Sequence, residues 1–312
     1  MFSIIDVATP KGTVQYREEW FTGRRCRISP DRSKRHLPQP LSVPRDAGDC
    51  PFCQDRIFSV TPVFPDGRRI IRGESITFPN MFPFGQGHVV TVITREHWVD
   101  AFSRQQMADA LSGLVEALRH VEGYPSINMN FLPSAGASMI HPHMQGLSDP
   151  RPSLVMQRYL LAGREYQKEH GKNYWDTLKD EERKSGRYLF GEEILWSAHA
   201  VPCGEREVRG ILPAVSLSEM DPYIDLLARG ILEVLSFYRA LGTHAFNMSV
   251  FFDKAGTDHG FRAFCSLVSR INPNPASMSD SAFMERLHFE PVIMTLPEDM
   301  GALYRNEKSK KI

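Results

Sequence analysis

Ile127-Asn-Met-Asn-Phe131 returns 119 positions later as Phe246-Asn-Met-Ser-Val250, and this echo decides how the whole chain is read. The same ungapped shift places Pro83 on Pro202, Gly85 on Gly204, Val89 on Val208 and Gly123 on Gly242. Self-similarity at one fixed offset marks a duplicated structural unit. Working outward, each copy begins with a strand-like stretch, HVVTVI at 88–93 and EVRGIL at 207–212. An amphipathic helix follows, then a glycine, then the echoed strand. The first helix opens with Ser103 and Gln106 at capping-box spacing, and Met107, Ala110, Leu111, Leu114, Leu118 and Val121 keep the 3.6-residue period. The second opens with Asp221-Pro222 and continues through Ile224, Leu227, Ile231, Leu235 and Tyr238. Strand, helix and strand repeated twice with short connections predict an α+β fold in which helices cover one face of mainly antiparallel sheet. The expected organisation is a first half over 1–157, a polar helical linker over 158–186 and a second half over 187–312.

Length and composition agree with this reading. The 312 residues suggest about two domains. Lys plus Arg equals Asp plus Glu at 37 each, which argues against a nucleic-acid backbone or an anionic membrane as the main partner. With 42% hydrophobic and 24% charged residues the chain can bury a core and is not intrinsically disordered. No apolar run is long enough to cross a bilayer, and MFSIIDVATPKG lacks the pattern of a secretory leader, so a cytoplasmic protein is expected. Five cysteines are too few and odd in number for a disulfide framework. Cys26, Cys203 and Cys265 read as small core residues.

Two constellations carry chemistry. Cys50-Pro-Phe-Cys53 can bite one metal ion from a tight turn, and His97 and His141 would complete a tetrahedral shell that suits zinc. A closed shell of four ligands is structural. A redox pair or two buried thiols would leave the same spacing. The second constellation is Ser134-Ala-Gly136-Ala-Ser138-Met-Ile-His141-Pro-His143-Met-Gln145. Small residues such as Gly136 let backbone N–H groups approach an anion, and Ser138 offers a hydroxyl. In an extended His-Pro-His segment both rings share one face, so one imidazole can bind a metal while the other meets a substrate. The His141 carbonyl can accept from one nitrogen of His143 and leave the other free to attack phosphorus. Gln145, on the same face, can donate to a phosphoryl oxygen. The shift sets His97 on Ser216, Ser138 on Thr257, His141 on Gly260, His143 on Arg262 and Gln145 on Phe264, so one copy alone carries these groups.

The HPHxQ pattern with its preceding small residues resembles the transferase branch of the histidine-triad superfamily, typified by galactose-1-phosphate uridylyltransferase. Upstream, Thr22-Gly23 and Ile28-Ser-Pro-Asp-Arg32-Ser-Lys-Arg35 are similar to that family's N-terminal signature. Cys50, Cys53, Phe78-Pro79-Asn80, His97 and Asn130 follow in the family's order, so the resemblance covers roughly residues 15–150. It implies two histidine-triad-like halves, zinc at Cys50, Cys53, His97 and His141, and a double displacement through a nucleotidyl group on His143. Gln145 and Ser138 would steady the phosphoryl oxygens. Arg32 and Arg35 would add charge, from the opposite subunit of a homodimer, and Asn80 and Asn130 would contact nucleotide or loop. A solvated basic turn is the other reading of Arg32 and Arg35, and ordinary turn or strand-end hydrogen bonding accounts equally for Asn80 and Asn130.

Implied partners are a nucleoside-diphosphate sugar and a sugar 1-phosphate or phosphate, with UMP transfer between a UDP-sugar and a hexose 1-phosphate as the default. Departures from the family bear on this. Phe264-Cys-Ser-Leu-Val-Ser-Arg270 has no histidine where relatives bind a second metal, so none is expected, and the C-terminal Phe289-Glu-Pro291 and Met294–Asp299 stretches match the sugar-contacting region loosely. ADP-glucose or dinucleoside polyphosphate phosphorolysis is the adenylyl alternative. A nucleotide-conjugate hydrolase, in which a third histidine usually stands at the place of Gln145, and a non-catalytic nucleotide-binding module remain further readings.

Overall fold

The computed structural model of the protein describes residues 1–9, 12–34, 48–257, 259–272, 281 and 284–310. In chain order the strands are β1 (Phe2–Thr9), β2 (Gly12–Glu19), β3 (Arg25–Ile28), β4 (Ile70–Arg72), β5 (Ser75–Pro79), β6 (Gly87–Val92), β7 (Tyr124–Phe131), β8 (His143–Asp149), β9 (Tyr188–Phe190), β10 (Leu195–Ala198), β11 (Val208–Ile211), β12 (Phe246–Phe251), β13 (Phe264–Ser269) and β14 (Val292–Ile293). The helices are α1 (Ile57–Val60), α2 (Arg104–Leu118), α3 (Leu154–His170), α4 (Tyr174–Arg183), α5 (Ile224–Ala240) and α6 (Pro297–Ser309). Two mainly antiparallel sheets result. One has the order β1-β2-β3-β14, and the other runs β4-β5-β6-β8-β7-β12-β13-β11-β10-β9. The fold is α+β.

The two copies meet at the centre of the ten-stranded sheet. There β7 and β12 pair antiparallel with Met129 opposite Met248 and Asn130 opposite Asn247. Alternating burial along both strands sends Met129, Phe131, Phe246 and Met248 into the principal core, beneath α2 and α5. Helix α2 starts where the sequence expects, with the reciprocal Ser103 and Gln106 cap formed. Asp221-Pro222 instead makes a short 3-10 turn that feeds α5. Trp196 is packed between two glycines. A Cβ added at Gly210 would lie 2.8 Å from its ring, and one at Gly230 would overlap it from the helix side.

Three expectations are corrected. The ungapped shift does not persist through the last strand of each copy: Val92 pairs with His143, whereas its counterpart Ile211 pairs with Phe264 rather than Arg262. Relative to β11 the last strand of the second copy is displaced by two residues, so Phe264 and Ser266 occupy the places of His143 and Gln145. Helices also do not stay on one face. The 158–186 stretch, read as a solvated linker, supplies Tyr159, Tyr174 and Trp175 to an aromatic cluster with Ile211, Phe261 and Phe264 on the sheet face opposite α5. Apart from Glu182, which is buried against Arg187, its charged residues are largely on the outer side and mask that apolar stripe in the composition. Lastly, Cys26 and Cys265 are buried but Cys203 is exposed. Among the described residues no helix is long and apolar enough to cross a membrane.

Candidate active site and metal centre

The face opposite α2 in the first copy brings together most of the residues singled out from the sequence. Sulfur and nitrogen atoms of Cys50, Cys53, His97 and His141 all lie within 4.8 Å of one another. Cys50 Sγ is 3.7 Å from His141 Nδ1, Cys53 Sγ is 3.7 Å from the same nitrogen, and Cys53 Sγ is 3.5 Å from His97 Nδ1. A tetrahedral zinc with ordinary Zn–S and Zn–N lengths needs S···N edges of about 3.6 Å, so this donor set fits the ion. His141 Nε2 donates to the Thr94 carbonyl at 2.9 Å, which leaves Nδ1 as the lone-pair nitrogen facing the cage. Burial, together with the neighbouring Cys50, pushes the Cys53 thiol up to about 11, and burial pulls His141 down to about 4. The imidazole is therefore neutral and ready to ligate, while a cation would be needed to draw the thiolates out. Zinc bound here would be closed to water and would tie the turn at residue 50 to β8.

The turn also reaches the second histidine. Phe52, between the cysteines, sets its ring against His143 at a centroid distance of 5.3 Å. His143 opens β8 and is 6% exposed, and its Nδ1 lies 2.9 Å from the His141 carbonyl. Because a carbonyl only accepts, Nδ1 carries the proton and Nε2 keeps its lone pair. Ile93 N–H donates to the Pro142 carbonyl at 3.1 Å, so the backbone between the two histidines is fixed as well. Burial lowers the His143 pKa, with the hydrogen bond to His141 opposing that, and the ring is neutral near pH 7. Gln145, two residues along the same face, places Oε1 2.8 Å from Nε2 of His88. Asn80 Nδ2 lies 3.0 Å from that same nitrogen. His88 was not singled out from sequence; a lone histidine at the head of an apolar strand gives no spacing signal.

The loop from β7 to β8 is braced from the other copy. Asn247 Nδ2 donates to Asn130 Oδ1 at 2.7 Å and to the Ala135 carbonyl at 2.8 Å, while Arg270 Nη1 donates to Asn247 Oδ1 at 2.6 Å. Ser134 Oγ donates to the Ile271 carbonyl. Gly136 has φ +84°, a left-handed turn that favours glycine. Leu132 at φ +74° enters the same loop without that freedom. Ser138 and Gly136 are exposed at the loop tip, and Asn130 is exposed on β7. Arg32 is exposed on a 3-10 turn, and among the described residues no hydrogen bond or ion pair joins it to His143 or Gln145. Arg35 lies outside the described residues.

In the second copy the equivalent face carries a charged network, bordered by a cavity that Glu19, Tyr174, His199, Arg209 and Ile211 line. Glu207, the counterpart of His88, accepts from Arg209 Nε and from Ser266 Oγ, each at 2.7 Å. Arg209 Nη1 donates to Tyr159 Oη at 2.5 Å. His199 Nε2 pairs with Glu19 Oε1 at 3.2 Å, and Arg24 approaches Glu207 at 3.7 Å. β2 and α3 thus contribute Glu19 and Tyr159 to this network, which has no equivalent around His143 among the described residues.

No family model matches the chain. An uncharacterized protein of Archaeoglobus fulgidus is 29% identical over 279 residues, 83% of this chain and 84% of its own length. Among solved structures, the ADP-glucose phosphorylase of Arabidopsis thaliana, crystallised with ADP-glucose, superposes with a TM-score of 0.74 at 17% identity, covering 94% of this chain and 98% of that one. A GalT-like protein of the same plant gives 0.72 at 17% identity over 93% and 98%. A uridylyltransferase gives 0.70 at 19% identity over 95% and 99%. Near-complete coverage in both directions, at identities this low, speaks to architecture: the chain shares the α+β fold of these phosphorylase, GalT-like and uridylyltransferase structures.

Proposed function

We propose that this chain is a nucleotidyltransferase that works through a covalent nucleotidyl-His143 intermediate. The observation that carries the reading is the His143 ring itself, buried with Nδ1 committed to the His141 carbonyl, so that Nε2 keeps the lone pair. The Nε2 lone pair attacks the α-phosphorus of a nucleoside-diphosphate sugar, and the bond from that phosphorus to the bridging oxygen breaks. The leaving sugar 1-phosphate departs as an anion and needs no proton. A phosphate oxygen of the second substrate then attacks the same phosphorus, the P–N bond breaks, and His143 regains its lone pair. Gln145 and Ser138 stabilise the phosphoryl oxygens, Gly136 admits them to the loop backbone, and Asn80 and Asn130 border the nucleotide. Arg32 and Arg35 would be supplied across a homodimer. Zinc held by Cys50, Cys53, His97 and His141 keeps the Phe52 turn against His143.

The default reaction is UMP transfer between a UDP-sugar and a hexose 1-phosphate, as in galactose metabolism. The ADP-glucose held by the Arabidopsis phosphorylase supports a second reading in which AMP is transferred and phosphate is the acceptor. Incubating the protein with UDP-glucose and ADP-glucose in turn, and measuring intact mass, decides between them. The expected result is one uridylyl or adenylyl adduct that is stable until an acceptor is added and absent from His143→Ala. An adduct lost to water alone points to hydrolysis. No adduct with either donor refutes covalent transfer.

A further inference from the structure

We propose that His88 is a positioning residue for the transfer step: it holds the Gln145 carboxamide with the oxygen turned inward, so that the NH2 end faces the phosphoryl group at His143. This deepens the nucleotidyl-transfer reading above and rests on it. The argument begins with a donor that cannot be reversed. Phe84 N–H donates to His88 Nδ1 at 3.3 Å, which makes Nδ1 the lone-pair nitrogen and places the ring proton on Nε2. That N–H lies 2.8 Å from Gln145 Oε1, the acceptor end of the amide. A second backbone donor fixes the other neighbour, because Phe82 N–H donates to Asn80 Oδ1 at 2.8 Å. Asn80 therefore turns its own NH2 toward Nε2 at 3.0 Å, a contact between two donors and not a hydrogen bond, and of the two side chains at this nitrogen Gln145 is the one that offers an acceptor.

The planar amide does the rest. With its oxygen engaged, Gln145 can present only N–H groups to an anion, whereas an unrestrained side chain could as readily turn a repelling oxygen toward it. His88 is itself held, since it is 5% exposed and the Phe84 ring lies against it at a centroid distance of 4.3 Å. The reach between these two strand positions belongs to the repeated architecture. In the other copy the counterparts Glu207 and Ser266 are also joined by a side-chain hydrogen bond, at 2.7 Å, with different chemistry.

The test uses full-length, zinc-loaded protein and follows single-turnover adduct formation with UDP-glucose or ADP-glucose, whichever the wild type accepts. His88→Leu should slow adduct formation roughly ten- to hundredfold, less than the full loss of an oxyanion donor, with little change in the donor concentration giving half the maximal rate. His88→Gln, which restores an N–H donor, should recover most of the rate. The double variant His88→Leu/Gln145→Ala should be no slower than Gln145→Ala alone. Additive losses in the double variant, or a wild-type rate for His88→Leu, overturn the proposal. Nitrogen-15 NMR of the resting protein gives a readout independent of turnover. A proton on Nε2 of His88 supports the contact and a proton on Nδ1 overturns it. A wild-type protein that forms no adduct overturns the transfer reading instead, and the two failures are thereby told apart.

Discussion

Replacing Cys50 by serine should release zinc and lower the melting temperature by several degrees. The size follows from the loop that the cage closes, since Cys53 and His141 stand 88 positions apart. A cross-link spanning that length restricts the unfolded chain by about 5 kcal/mol in the loop-entropy treatment. For 312 residues the unfolding entropy is about 0.65 kcal/mol per kelvin, so losing the link should lower the midpoint by about 8 °C. Activity should fall as well, because Phe52 leaves its place against His143 when the turn loosens. The assay is scanning calorimetry beside elemental analysis, on wild type, on Cys50→Ser and on wild type stripped with a chelator. Cys50→Ser that still carries one zinc per chain would refute the ligand assignment. Chelated protein melting within about 2 °C of the loaded form would refute the cross-link argument.

Two further outcomes test the packing that supports the site. Burial alone would raise the Glu19 pKa, but the His199 hydrogen bond and the charges of Arg209 and Arg24 outweigh it and hold the carboxyl at about 2. A depressed folded pKa means that the contribution is complete above the ordinary carboxylate range and is lost as pH falls toward about 2; it amounts to about 3 kcal/mol. Urea unfolding between about pH 6 and pH 3 should therefore show a steeper loss in wild type than in Glu19→Gln, and equal slopes sink the assignment. Gly230→Ala should destabilise the protein by about 1–3 kcal/mol, because the added methyl overlaps a Trp196 ring that Gly210 blocks from behind; unchanged urea stability would show that the ring can retreat.

What the sequence disclosed and what it hid divide along the range of the interactions. Strand β7, helix α2 and strand β12 were readable because period and capping are local, and the His141-Pro-His143 alternation needed only three residues in extended backbone. The Cys50 and Cys53 pair was readable from spacing, with His97 and His141 as the candidate imidazoles that the resemblance then supported. Contacts set by sheet order were not legible. Gln145 meets His88 across 57 positions, and Asn247 braces Ala135 across 112, with nothing in either stretch to announce it. The slip of β13 is two residues, an even number, so inward and outward faces are preserved and hydrophobic alternation cannot betray it. Tyr159 and Trp175 were hidden by the charge around them, since a helix shows composition before it shows which stripe is covered.

The β7–β12 seam has an evolutionary corollary. Two identical subunits meeting along such a seam would have to accept every substitution twice, because each change in the gene appears on both sides of the axis. A covalent tandem escapes that constraint. Here one copy carries Glu207 and Arg209 beside a cluster of aromatic rings, where its sibling carries His88 and Gln145.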